Sequence, residues 1–260
     1  MTTTTTTRVE DVPPIGRAEA AALTSLEHQR VLGLLRSLDD DDWTRPTACT
    51  EWDVRALSGH LLGAMEGFGS VRALVHLGLA ARRAAGDGDV VDGMTAVQVA
   101  ERADLTRRQL LDRMEAAAPR TERFRARVPA LVRRARMRQD VGGTSETWTL
   151  AYLLDVILLR DAWMHRMDVA EATDRTPVLT ADHDGRIVAD VVAEWARRHA
   201  RPFTLHLTGP AGGTFTGAGA GAGATTQVAG EELTLDAVAF CRILSGRAEG
   251  HGLLTQEVPF

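Results

Sequence analysis

The chain has 260 residues, a formal charge of −5 and two cysteines, Cys49 and Cys241. That length allows one large domain or two small ones with an ample core, and two cysteines are too few for a disulfide framework. All thirty basic residues are arginine, which excludes Schiff-base catalysis and P-loop nucleotide chemistry, since both need a lysine. The mild acidity favours neither an acidic nor a basic partner. No apolar run approaches a membrane span, and no apolar core follows the N-terminal Thr run, so a cytoplasmic protein without a membrane partner is expected.

Residues 1–16 are Thr-rich, end in a Pro-Pro pair and are expected to be disordered. From Arg17 to Leu38 the positions of Leu23, Leu26, Leu34, Leu35 and Leu38 fit one helical face. Pro46 marks a loop, after which Thr50 or Asp53 caps a second helix running through His60 to about Leu79. A third helix is expected over roughly Ala96 to Ala117, stopped by Pro119. The stretch from Arg120 to Gly143 is arginine-dense and irregular, and its Gly-Gly ending precedes a fourth helix opened by Thr144 or Ser145 and running to about Thr173. Four such helices, joined by loops of uneven length, predict a four-helix bundle over residues 17–176.

The pattern changes near Pro177. A shorter helix, Asp184 to His199, leads to an alternating segment with Phe203, Leu205 and Leu207 on one face, which predicts a strand. A glycine-rich strand-turn-strand follows, and LTLDAVAFCRILSGR reads as a helix ending at Gly246. Residues 177–260 are therefore expected to form a small α+β domain.

Chemistry concentrates in RDAWMHRMD, where Asp161 and His165 stand four apart and so project from one helix face. His60 is the other histidine able to complete a compact site: three ligands from two helices, with a position left open, is the pattern of a catalytic zinc. His76, sixteen residues beyond His60 on the same predicted helix, would lie about 24 Å away and cannot share it. The competing explanation is a core histidine and an ordinary carboxylate–imidazole pair. Asp168 could orient an imidazole from behind, or form a salt bridge with Arg160 or Arg166. Cys49 reads as a small buried residue, and Trp43, Trp52, Trp148 and Trp163 as packing residues. The arginine-dense stretch carries one aromatic and no recognition motif, which argues against nucleic acid, and the glycine run from Gly217 to Gly223 lacks the helix a phosphate cradle requires.

The segments Trp43 with PTACTEWDVRALSGHL, RDAWMHRMDVA and ILSGR resemble the mycothiol-dependent maleylpyruvate isomerase family. The resemblance implies a DinB-like metal-binding bundle followed by a sterol-carrier-like α+β domain. It also implies a divalent metal, usually zinc, on His60, Asp161 and His165, with mycothiol as the thiol cosubstrate. The isomerase itself is best matched by glutamate at the acidic position, where this chain has the shorter Asp161. Arg247, in the ILSGR motif, is implied as a cationic contact for an acidic substrate group; an arginine at a helix C-terminus is the alternative. The expected function is a metal-dependent, mycothiol-using isomerase or thiol transferase acting on a small electrophile. A metal-dependent hydrolase using bound water and a non-catalytic metal or small-ligand binding protein are the alternatives.

Overall fold

Apolar residues at helical spacing build the helices of a bundle. The computed structural model describes residues 6–141, 143–219 and 230–260. Helix α1 (Arg17–Arg36) buries Leu23, Val31, Leu32 and Leu35, and α2 (Val54–Gly67) begins at Asp53, whose side chain accepts from the Ala56 N–H at 2.7 Å. Such a cap stabilises a helix by about 1 kcal/mol. Two further helices, α3 (Val71–Ala85) and α4 (Val90–Ala100), pack on each other, and α4 also packs on α2. Helix α5 (Arg107–Arg127) and α8 (Leu158–Ala172) each pack against both α1 and α2, which closes the four-helix bundle. Its core includes Val31, Leu35, Leu57, Leu61, Leu110, Met114 and Ala162.

Close approach of α3 and α4 to α2 depends on small residues. A Cβ on Gly63 would stand 2.5 Å from the Gln98 Cβ, and one on Gly67 would stand 2.6 Å from Leu77 Cδ2. Glycine at these two positions removes that overlap.

Between α5 and α8 lie a short helix α6 (Ala130–Arg133), strands β2 (Arg136–Val141) and β3 (Thr144–Thr149), and one turn α7 (Leu150–Tyr152). A π-helical turn, Leu153–Ile157, leads into α8. The chain ends with α9 (Arg186–His199), β4 (Phe203–Thr208), β5 (Gly213–Gly217), β6 (Glu231–Asp236) and α10 (Ala237–Leu244). With an N-terminal strand β1 (Thr6–Arg8) these make a four-stranded sheet in the order β1-β5-β4-β6. In this sheet β4 is antiparallel to β5, Leu205 opposite Phe215, and parallel to β6. One unit holds Arg17–Met137 and Trp148–Pro177; the other holds Arg138–Thr147, Val178–Phe260 and the described part of Met1–Gly16. The first is the helical bundle and the second is α+β. No helix among the described residues is long and apolar enough to cross a membrane.

Several predicted elements differ. Residues 6–16 are ordered rather than disordered: β-branched Thr6 and Thr7 pair with Thr214 and Phe215 of β5. The expected second helix is two, because Ser70 restarts the chain by accepting from the Ala73 N–H at 3.1 Å. The expected third helix is also two, α5 opening with a capping box between Thr106 and Gln109. Pro119 does not stop α5 but lies inside it, where Arg120 Nε donates to the Ala116 carbonyl at 2.8 Å next to the lost bond. The fourth helix starts later than expected, since Thr144–Thr149 is a strand, and LTLD is β6, with Asp236 capping α10. The glycine-rich turn falls largely in 220–229, outside the described residues.

Candidate metal centre

The PTACTEW loop is shaped by one hydroxyl. Thr47 Oγ1 donates to the Trp52 carbonyl at 2.8 Å and accepts from the Cys49 N–H at 3.2 Å, while the Trp52 N–H donates to the Cys49 carbonyl at 2.8 Å. This closed turn delivers Trp52 to the first turns of α2, where its ring stacks on His60 with centroids 5.1 Å apart. His60 thus has its plane set by packing. Its Nδ1 is buried and has no partner among the described residues.

On α8, Asp161 and His165 lie one turn apart, as their spacing requires. Asp161 Oδ1 stands 3.4 Å from His60 Nε2 and 3.4 Å from His165 Nε2. The ligand atoms of all three lie within 4.8 Å of one another. A distance of 3.4 Å is long for a charged hydrogen bond, which prefers about 2.7–2.9 Å. It matches the separation of about 3.3–3.4 Å between two donors of a tetrahedral ion with bonds of about 2.0–2.1 Å. Two imidazoles and a carboxylate are also the donor set that zinc and related divalent ions accept. The residues present therefore fit such an ion, with a coordination position left for water or a thiol.

The electrostatics follow from the same contacts. Burial pushes the Asp161 carboxyl up, but the charges and hydrogen bonds of His60 and His165 outweigh it and hold the group well below the usual carboxylate range. For His165, burial favours the neutral ring, yet Asp161, Asp168 and Cys49 together raise it well above an ordinary imidazole. A cation held here would take over the role of that proton, so its binding would be coupled to proton release.

Behind the site, His165 Nδ1 pairs with Asp168 at 3.0 Å, and Asp168 is fully buried. Such a carboxylate fixes the ring so that Nε2 is turned to the Asp161 side. Cys49, read from sequence as a small buried residue, is half-buried with Sγ 4.0 Å from both His165 Nδ1 and Asp168 Oδ2. Cys49, His165 and Asp168 form a second group with ligand-capable atoms close together. Sequence reasoning missed both: the Cys49 contacts span more than a hundred residues of chain, and the Trp52 stack, only eight residues from His60, depends on the turn that folds this loop back onto α2. Trp163 is wholly buried packing, and His76 pairs instead with Glu101 at 2.6 Å.

Arg247 belongs to the other unit. It follows α10, beyond Gly246 at φ +75°, and its N–H donates to the Arg242 carbonyl at 2.9 Å. With Ile243 and Leu254 it lines a cavity of about 520 Å³.

Comparison with known proteins agrees with this architecture. The sequence model of the mycothiol maleylpyruvate isomerase N-terminal domain matches residues 24–170, more than half of the chain and all three of His60, Asp161 and His165. The crystal structure of the mycothiol-dependent maleylpyruvate isomerase superposes with a TM-score of 0.55 at 16% identity, covering 97% of this chain and 98% of that one. That of a histidine-to-alanine mutant of the mycothiol-dependent maleylpyruvate isomerase gives 0.55 at 15% identity over 93% and 92%. At these identities the likeness is one of fold. No curated protein matches the sequence. The chain therefore belongs to the mycothiol maleylpyruvate isomerase N-terminal domain family, a family of enzymes.

Proposed function

We propose that this protein is a metal-dependent isomerase that uses a low-molecular-weight thiol, mycothiol, to act on a small electrophilic acid of the maleylpyruvate type. The observation that carries the reading is the convergence of His60 Nε2 and His165 Nε2 on Asp161 Oδ1, each at 3.4 Å. These three residues would hold a divalent ion, most simply zinc. Bound there, the ion would keep a thiol deprotonated at neutral pH and so supply a nucleophile without a separate base. Asp168 holds the His165 ring in one tautomer, Nδ1–H toward the carboxylate, so that Nε2 stays an acceptor. Trp52 fixes the His60 ring and covers one side of it, which limits water at the site. Arg247 supplies the cationic contact for an acidic substrate group in this reading. A cytoplasmic setting, where small thiols stay reduced, goes with it.

The test is elemental analysis of the purified protein beside its His165→Ala variant, followed by maleylpyruvate turnover with and without mycothiol. About one divalent ion per chain, lost in the variant, together with thiol-dependent turnover is the expected result. Metal bound but turnover indifferent to thiol would favour hydrolysis or simple binding. No retained metal after reconstitution with zinc, nickel, iron or manganese would sink the catalytic reading.

A further inference from the structure

The helical unit contains a cavity of about 320 Å³ whose walls include Arg17 and Thr24 of α1, Glu122 and Arg125 of α5, and Asp155 of the π-helical turn. Arg125 is only 8% exposed, yet its guanidinium makes no hydrogen bond among the described residues, and its Nε and Nη1 are buried without an acceptor. An arginine kept there for structure alone would be bonded as Arg166 is, with Nε and Nη2 both donating to Glu27. A buried and unbonded cation is costly, so its retention calls for a partner that arrives from outside the fold.

The neighbouring charges are already committed. Glu122 pairs with His28 at 3.4 Å, and Asp155 pairs with Arg133. Arg17 Nη2 donates to backbone carbonyls, those of Arg125 at 3.3 Å and Val128 at 3.1 Å among them. Burial pushes His28 down, toward its neutral form. Glu122 and Asp155, the two carboxylates in the cavity wall, thus each have another partner, and neither makes a hydrogen bond to Arg125. Burial lowers Arg125 to about 10, with Asp155, Asp161 and Glu122 opposing that fall, and the group stays charged at neutral pH. Asp161 thus links this guanidinium to the neighbourhood of the candidate metal centre.

We propose that Arg125 is the anion-receiving residue of the helical unit, donating from its planar fork to the carboxylate of a small organic acid in this cavity. The proposal rests on the proposed function and deepens it: the substrate's acidic group is bound within the bundle itself, independently of Arg247. A planar cation with parallel N–H donors matches the two oxygens of a carboxylate. A cavity of about 320 Å³ lies near the lower end of small-molecule sites and admits an acid of a few carbons, not a nucleotide.

Maleate, titrated without thiol so that nothing turns over, is the probe. Calorimetry would compare the wild-type protein with Arg125→Met, Arg125→Lys and the metal-deficient His165→Ala. The expected result is a Kd raised at least tenfold by Arg125→Met, a smaller rise for Arg125→Lys, and binding retained in His165→Ala, which separates this site from carboxylate binding to the metal. Unliganded Arg125→Met should melt no lower than wild type, since no hydrogen bond is lost. Failure of wild type to bind maleate, an unchanged Kd in Arg125→Met, loss of binding in His165→Ala, or collapse of Arg125→Met would each overturn the proposal. None of these readouts uses metal content or thiol-dependent turnover, so failure here is distinguishable from failure of the function proposed above.

Discussion

Two buried polar clusters start one residue apart on α8 and are built in opposite ways. Arg166 closes a fork onto Glu27 of α1, Nε to Oε1 at 2.6 Å and Nη2 to Oε2 at 3.1 Å, with both side chains almost completely buried. His165 meets Asp161 at 3.4 Å, and His60 meets the same oxygen at 3.4 Å. The first cluster is complete as folded. In the second, two imidazoles share one carboxylate oxygen at long distances, and the buried His60 Nδ1 has no partner among the described residues. Burial alone does not mark a functional cluster; what separates the two is whether the protein satisfies its own polar groups.

That contrast can be broken most forcefully from the closed side. Glu27→Ala removes both carboxylate acceptors of the buried Arg166 fork and should cost about 3–5 kcal/mol in urea unfolding. Replacing both partners, Glu27→Leu with Arg166→Met, should restore most of the loss, because a closed pair contributes little beyond what apolar packing supplies. A single variant with near-wild-type stability would mean that the pair is not the structural element its geometry describes.

The open side is expected to respond in affinity rather than stability. Asp168→Asn keeps the shape but weakens the acceptor behind His165, and should lower metal affinity by roughly 10–100-fold with the helical circular dichroism unchanged. Chelator competition measures this directly. Unchanged affinity would mean that Asp168 does not orient the ring.

The smallest effect concerns two buried imidazoles of the same bundle. Burial lowers His28, and Glu122 only partly restores it, whereas Asp161 and Asp168 raise His165 despite its burial. Below about pH 6.5 the unfolded chain binds the proton that folded His28 resists, so the His28 contribution is full above that pH and lost as pH falls. In chelated protein the His165 contribution has the opposite sign, present below about pH 6.5 and lost as pH rises. Urea unfolding across this range should show His28→Leu flattening the acid limb. An unchanged limb would show that His28 titrates as it would in water.

The three proposed ligands were named from an i,i+4 pair, which fixes a helix face, and from the resemblance carried by the segment around His60; the structure brings their side chains together. The helical bundle was legible from apolar spacing in α1 and α8. What could not be read was set by local caps and distant contacts. A single side-chain cap at Ser70 and a capping box at Thr106 each interrupt a continuous apolar pattern, so α2–α3 and α4–α5 looked like two helices rather than four. Pro119 carries a strong stop signal that bundle packing overrode. Cys49 acquires its neighbours from distant chain, and Trp52 reaches His60, eight residues on, only through the turn closed by Thr47. Arg125 was hidden in an arginine-dense run, where composition cannot distinguish a solvated side chain from a buried one.

The parallel pairing of β1 with β5 carries a consequence for how the chain is made. Thr6 registers with Thr214, about two hundred residues later, so closing this pair costs loop entropy that local helix formation does not. During synthesis the residues of the bundle, complete by Pro177, emerge before any of β4, β5 or β6. The first strand must therefore wait unpaired beside a maturing bundle until the last third of the chain leaves the ribosome. A Thr-rich segment, polar and short, is well suited to that wait, since it offers little apolar surface for mispairing while its partner is missing.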